Sequence, residues 1–292
     1  MRTYIQQTMR VLLILLLASA AALAQDAAEL MGKMTANVEK TTDARRLFVY
    51  EQKVRSSLVR AGGEVSRWEK RTYTVLPSPA AVEKKMTSFA GEYRNGKKMH
   101  PYTEPGFKYK DNDIDGEFLS ELTKDLVEDP KSRDGIPHSL FPLRSKDLSH
   151  YRFTSKGETT LKGRRTIVID FTPVPSEGVC VHIGEGDGGC ESKPWKGTVW
   201  VDAEDLQPAR IQSELAYKIP WGVRVFLGTN LSQTGFSLAY QRVAENVWFP
   251  VTYGTEFRLA VLWGYKRTIT LNLESSGFRK TDVSSDINYK VE

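Results

Sequence analysis

The acidic run Asp111-Asn-Asp-Ile-Asp-Gly-Glu117 is the stretch whose residue types and spacing most resemble a metal-binding loop. Oxygen-bearing side chains alternate along it and a glycine takes the sixth position, as in the calcium loop of an EF-hand. The twelfth position is Leu122, where such a loop needs a bidentate Glu, and no helical pattern precedes the run. We therefore interpret it as a solvated acidic loop and predict no metal site.

Two cysteines, Cys180 and Cys190, flank a glycine-rich stretch over residues 184–189. Because the chain begins with an export signal, described below, an oxidising compartment and a disulfide are the favoured interpretation. By loop closure the bond would stabilise the fold by about 2–3 kcal/mol. Metal binding together with His182 is the less favoured alternative, since the spacing differs from that of zinc sites. The glycines lack the Lys-Ser/Thr of a phosphate-binding loop, which indicates a flexible loop.

Residues that could perform catalysis do not form a recognisable pattern. The four histidines, His100, His138, His150 and His182, lie in separate contexts, and there is no Gly-x-Ser-x-Gly nucleophile elbow. No carboxylate pair lies isolated in apolar sequence, where burial would raise a pKa. We expect a protein that is not an enzyme and uses no cofactor.

Aromatic and apolar residues recur at alternate positions late in the chain. Alternate residues of a strand share one face, so these side chains form a wall on one side of a sheet. One interpretation is a filled core; the other is the wall of a cavity for an acyl chain, since few helices are predicted to cover the sheet. The candidate ligand-binding residues are Tyr253, Phe257, Leu259, Val261 and Trp263.

The N-terminus has the pattern of a secretory signal peptide over residues 1–24, followed by one domain over residues 25–292. Arg2 and Arg10 precede and flank an apolar run that is too short to span a membrane, and Ala22-Leu-Ala24 fits the cleavage site.

Cleavage lowers the formal charge from +5 to +3, with basic and acidic residues interspersed. Nucleic-acid binding therefore has little electrostatic support.

The elements that would position these residues are mostly strands. Residues 196–216 form the clearest hairpin, in which Asp202, Asp205 and Pro208 favour a tight turn. Asn95-Gly96 marks a second hairpin. Apolar spacing predicts amphipathic helices over residues 26–42 and 116–128. Further strands are predicted over 47–57, 64–76, 81–93, 150–155, 165–172, 222–227, 234–243, 247–258 and 265–275, with a loop insertion near 173–195.

This order of elements resembles the LolA/LolB superfamily of outer-membrane lipoprotein-sorting proteins. The resemblance rests on an exported chain with an N-terminal helix, a mid-chain helix, the strand Gly197-Thr-Val-Trp-Val-Asp202 with its return Gln207-Pro-Ala-Arg-Ile211, and Asn246-Val-Trp-Phe-Pro250. It implies a mainly β fold: an open, strongly curved antiparallel sheet, or half-barrel, with helices closing its mouth. It also implies carriage of acyl chains in the cavity.

Two function classes follow from these patterns. The first is a periplasmic, monomeric, non-enzymatic carrier or sensor that binds the acyl chains of a lipid or lipoprotein. The second is an envelope module with a filled core that binds a protein partner through its loops. An apolar cavity inside the curved sheet would favour the first class, and its absence the second.

Overall fold

Eleven strands form one antiparallel sheet in the computed structural model, which describes residues 26–76, 83–124, 127, 143–174, 195–216, 229–261 and 264–281. Helix α1 covers residues 26–45, α2 covers Ile114–Thr123, and a 3-10 helix covers Ser145–His150. The strands are β1 (Phe48–Arg60), β2 (Val65–Leu76), β3 (Glu83–Asn95), β4 (Lys98–Tyr102), β5 (Tyr151–Leu161), β6 (Arg164–Pro173), β7 (Trp195–Asp202), β8 (Pro208–Leu215), β9 (Thr229–Ala244), β10 (Val247–Val261) and β11 (Lys266–Lys280).

The sheet is open, with β4 at one edge and β5 at the other. Its order is β4-β3-β2-β1-β11-β10-β9-β8-β7-β6-β5, so most neighbours follow each other in the chain and β1–β11 is the exception. The expected mainly β fold, an open curved antiparallel sheet with helices on its mouth, is confirmed. Because β4 and β5 lie at opposite edges, the connection between them, which contains α2, must pass from one edge to the other.

Strand β1 shows why one face of the sheet is buried. Tyr50, Val54 and Leu58 are at most 4% exposed, whereas Glu51 and Lys53 between them are exposed. Alternate side chains of a strand point to opposite faces, so the period-two pattern sends the apolar set to the core. The charged set faces solvent and forms a polar convex face.

Helix α1 covers the centre of the buried, concave face. Its apolar residues Ala27, Met31, Met34 and Val38 are no more than 2% exposed, at the spacing that places them on one helical face. Burial of each larger side chain contributes about 1.5–3 kcal/mol. The central cluster comprises Ala27, Met31, Met34, Val54, Tyr73, Val127, Leu143, Tyr151, Phe153, Ile169, Phe171, Val199, Val201, Ile211, Phe236, Leu238, Tyr240, Trp248, Tyr253, Leu271 and Leu273.

Helix α2 covers a neighbouring part of the same face. It begins two residues before the predicted start, because the Asp113 side chain caps it by accepting a hydrogen bond from the Gly116 N–H at 3.1 Å. Leu119 packs against Leu58, Leu259 and Ile269, and we call these four residues the α2 cluster. The part of the predicted helix beyond residue 124 lies outside the described residues apart from residue 127.

The β7–β8 hairpin forms as predicted, and its turn is held by Asp202. Its carboxylate accepts hydrogen bonds from the N–H groups of Glu204 at 3.1 Å and Asp205 at 2.9 Å. The same carboxylate binds Arg164, and the Trp248 indole donates to Asp205 at 3.0 Å. These contacts join the turn to β6 and β10, so the hairpin is a structural element.

Some of the remaining predicted strands have different boundaries in the structure, and other predicted segments lie outside the described residues. Strands β5, β9, β10 and β11 are longer than predicted, by three to six residues, and β3 has the predicted length but begins and ends two residues later. The signal peptide, the strand over 222–227 and most of the insertion near 173–195 lie outside the described residues. Cys180 and Cys190 lie there too, so the disulfide stays a prediction.

Candidate functional site

The predicted wall residues of β10 fall into a buried group and a half-buried one. Tyr253 is 3% exposed within the central cluster, and burial raises the pKa of its hydroxyl. Leu259 is 7% exposed in the α2 cluster, and Phe257 packs half-buried against that cluster. Val261 ends β10, and Trp263 and the Val261 side chain lie outside the described residues.

Half-buried apolar side chains surround the α2 cluster. Phe118 and Leu122 come from α2, Phe257 from β10, and Tyr265 from the residue before β11. Each is in contact with the buried cluster and keeps part of its surface accessible. This rim of four residues is one part of the described structure where apolar surface is incompletely covered; Leu30, Met86 and Trp195 are likewise partly buried beside the central cluster.

A buried ion pair ties the start of α2 to the sheet. The Arg67 side chain on β2 is 1% exposed, and its Nη1 donates to Asp113 Oδ2 at 2.6 Å. Its other nitrogens donate to the Tyr102 hydroxyl at 2.8 Å and to the Phe107 carbonyl at 2.5 Å. Since all three donor nitrogens have partners, the buried charge is compensated, and loss of either ion-pair partner would be costly.

Two further charges lie beside Arg67 on the same strand face. Glu69 is fully buried and accepts from Arg71 Nη2 at 2.7 Å and from the Tyr102 hydroxyl at 2.7 Å. Burial, and then the adjacent Glu69 carboxylate, raise the pKa of Tyr102 above its ordinary value. The tyrosine therefore remains a hydrogen-bond donor at neutral pH and links Arg67 to Glu69.

This network was not among the residues predicted from the sequence, although the sequence carries a signal for it. Arg67, Glu69 and Arg71 recur at intervals of two, on the same face as the buried Tyr73 and Val75. Period-two charges in phase with buried apolar residues indicate a buried ion network on one strand face.

Asp115, in the first turn of α2, contacts Tyr265 and Arg267 around the start of β11, which lies on the other side of β1 from β2. It accepts from the Tyr265 hydroxyl at 2.7 Å and from Arg267 Nε at 3.0 Å. Burial acts to raise its pKa, but the hydrogen bonds from Tyr265 and Arg267 outweigh burial and hold the pKa below its ordinary value. The carboxylates of the acidic run thus anchor α2, and among the described residues no group of three or more His, Cys, Asp or Glu is placed to hold a metal.

A hollow of about 420 Å³ lies on the opposite, convex side of the sheet. Its lining includes the charged residues Lys53, Arg55, Lys70 and Glu274 together with Asn272. Charged and amide groups are costly to cover with hydrocarbon, so this hollow does not suit an acyl chain. Of the helices in the described residues, none is long and apolar enough to cross a membrane.

Comparison with known proteins gives structural matches at low identity. No protein-family model and no curated protein sequence matches the chain. One matched structure is a domain described as an outer membrane lipoprotein-sorting protein from Vibrio parahaemolyticus: 12% identity, TM-score 0.36, covering 90% of this chain and 95% of that one. A DUF1329 family protein from Desulfovibrio piger matches at 12% identity and TM-score 0.31, covering 90% and 94%. The Mycobacterium tuberculosis lipoprotein LppX matches at 9% identity and TM-score 0.22, covering 85% and 96%.

The lipoprotein-sorting resemblance indicated by the sequence motifs recurs among these matches. Because the identities and TM-scores are this low, we draw nothing about function from them. What this chain binds has to be inferred from its own residues.

Proposed function

We propose that this protein is a periplasmic, non-enzymatic carrier or sensor that binds an acyl chain of a lipid or lipoprotein on the concave face of its sheet. The observation that supports it is the rim of Phe118, Leu122, Phe257 and Tyr265 around the α2 cluster. The acyl chain would lie between α2 and β10, in contact with this rim. The predicted wall residues Tyr253 and Leu259 would support it from beneath, with Val261 and Trp263 proposed to extend the wall.

The open sheet supplies the physical basis for such a site. A concave face covered by helices, instead of a second sheet, can be uncovered by movement of one helix without breaking strand pairing. Burial of an acyl chain contributes about 0.8 kcal/mol per methylene, from which the cost of association is subtracted. We therefore expect micromolar affinity for a long-chain fatty acyl group, about −8 kcal/mol.

A filled core supports the second candidate, an envelope module that binds a protein partner. The central cluster is made of fully or nearly fully buried side chains, and α1 already occupies the middle of the concave face. If α1 and α2 stay in place, a ligand could reach only the apolar surface that the described residues around these clusters leave partly exposed. Partner binding would then fall to the loops and the convex face.

Lipid uptake separates the two candidates. Delipidated mature protein should bind dansyl-undecanoic acid, a fluorescent fatty acid, at micromolar concentration, and mass spectrometry of natively purified protein should detect a bound lipid. Failure to bind fatty-acid, phospholipid and lipoprotein probes, with no co-purified lipid, would reject the carrier and favour the protein-binding module.

A further inference from the structure

A polar cavity of about 200 Å³ lies where α2 begins, next to the proposed acyl site. Side chains from β1, β2, β3, β11 and the segment before α2 converge on it. Tyr265 belongs both to this cavity and to the apolar rim, so the two sites share a wall. The charged lining residues are Arg60, Arg67, Arg94, Lys110, Asp113, Asp115 and Arg267.

The cavity carries more positive than negative charge. Five of its lining residues are Arg or Lys, and two are Asp. Both carboxylates are already neutralised: Asp113 pairs with Arg67 at 2.6 Å, and Asp115 pairs with Arg267 at 3.0 Å. Arg60, Arg94 and Lys110 remain as the source of the excess positive charge.

The surroundings of these three cations leave that charge largely uncompensated. Arg94 donates to the Val65 carbonyl at 2.7 Å and the Lys97 carbonyl at 3.2 Å, which fixes its guanidinium without neutralising it. Lys110 Nζ lies 5.1 Å from the centre of the Tyr109 ring. Arg60 has one distant partner, Glu64 at 3.8 Å, and both side chains are substantially exposed. In the described part of the chain, neither Arg94 nor Lys110 forms an ion pair.

We propose that this cavity binds a phosphate group. Guanidinium and ammonium groups are the donors that proteins use for phosphate oxygens, and this cavity is lined by both, together with Tyr93 and Tyr109. The helix N-terminus itself is not the anion-binding element, because Asp113 already caps it. The phosphate is that of a free anion or of a lipid headgroup.

The lipid case rests on the proposed function and makes it more specific. A phosphate in this cavity and an acyl chain along Phe257 and Leu122 would be separated by the shared residue Tyr265. The preferred cargo would then be an anionic phospholipid, with its headgroup at the start of α2 and a chain along the rim.

The test compares an R94Q/K110Q double variant with a K40Q/K85Q control. Lys40 and Lys85 are exposed, and neither lines the cavity, so both variants lose two positive charges and only one alters the site. Binding of inorganic phosphate, dioctanoyl phosphatidylglycerol and uncharged dioctanoylglycerol is measured by calorimetry. We expect R94Q/K110Q to weaken phosphatidylglycerol binding by about tenfold or more, the effect of losing charge-assisted hydrogen bonds. The control should stay within about twofold, as expected for surface charges in salt.

The three ligands separate failure of this inference from failure of the proposed function. Equal loss in both double variants, or no loss in R94Q/K110Q, would overturn the phosphate site, while dioctanoylglycerol binding would still support the acyl carrier. Phosphate binding that R94Q/K110Q abolishes, without binding of either lipid, would support the anion site and reject the lipid carrier. Circular dichroism of both variants checks that they fold.

Discussion

At the scale of single residues, Asp115 links pH to the attachment of α2. Its folded-state pKa is lowered by hydrogen bonds from Tyr265 and Arg267, so ionisation stabilises the fold. This stabilisation is fully present above the unfolded pKa of about 3.9 and is lost as the pH falls through the lower folded value. The attachment of α2 is therefore expected to weaken in acid.

Asp115→Asn should expose this dependence in urea unfolding. At pH 7 the variant should lose about 1–3 kcal/mol of unfolding free energy, because a charge-assisted contact is removed from a mostly buried site. The difference from wild type should shrink as the pH is lowered from about 5 to about 2.

The exposed neighbour Asp111 provides the control for this experiment. Asp111→Asn should change the unfolding free energy by no more than about 0.5 kcal/mol. A difference between Asp115→Asn and wild type that stays constant down to pH 2 would show that ionisation of Asp115 does not stabilise the fold.

Phe257 and Phe249 are a matched pair on β10 for telling core from cavity wall. Phe249 is fully buried, so Phe249→Ala should cost about 3–5 kcal/mol of stability. Phe257 is half-buried, and Phe257→Ala should cost about 1–2 kcal/mol while weakening fatty-acid uptake. Chemical unfolding and titration of the fluorescent fatty acid provide the two readouts.

The cavity-wall assignment depends on how these two effects combine. Phe249→Ala should leave binding per folded molecule unchanged, since Phe249 lies in a separate cluster with Phe48 and Tyr50. A large stability loss in Phe257→Ala with unchanged binding would assign Phe257 to the core, and the acyl site would have to be placed elsewhere.

At the scale of elements, the β9–β10 hairpin depends on the backbone of Asn246. This residue has a φ of 56°, a left-handed conformation that Asn and Gly adopt more readily than other residues. Asn246→Ala should therefore destabilise the protein by about 1 kcal/mol, and Asn246→Gly should change it little. Thermal unfolding of the two variants side by side tests this, and equal melting temperatures would contradict it.

Local periodicity was sufficient to predict most elements of the fold. The alternation in β1 and the Asn95-Gly96 turn are short-range signals, and both appear in the structure. The full length of β5 was not predictable, because its second half is polar and mostly exposed and is held as a strand by pairing with β6. The turn at residues 95–96, by contrast, is defined by its own backbone chemistry.

The candidate site was predictable to a smaller extent. Alternation along β10 placed Tyr253 and Leu259 on the buried face, as the structure has them. The contact of Asp113 with Arg67 could not be predicted, because it joins a loop to a strand 46 residues earlier in the chain. Neither could the cationic cavity beside α2, since its cations come from several strands and a loop and no linear pattern brings them together.

At the scale of the whole molecule, the cysteines test the compartment in which the chain folds. If Cys180 and Cys190 are paired after export, protein isolated from the periplasm should show no reactive thiol before reduction. Cys180→Ser should leave a single reactive thiol. Two thiols that react in unreduced periplasmic protein would contradict both the pairing and its use as a restraint on the 173–195 insertion.

The pairing of β1 with β11 has a kinetic consequence. Register partners such as Val54 and Leu273 are separated by more than two hundred residues of chain, yet they are neighbours in the interior of the sheet. Local hairpins can form early. The pairing of β1 with β11 can form only after β11 has been synthesised, and it carries a large entropic cost of loop closure. During synthesis the chain would thus exist as two unjoined meanders with exposed strand edges, which are prone to aggregate until β11 is complete.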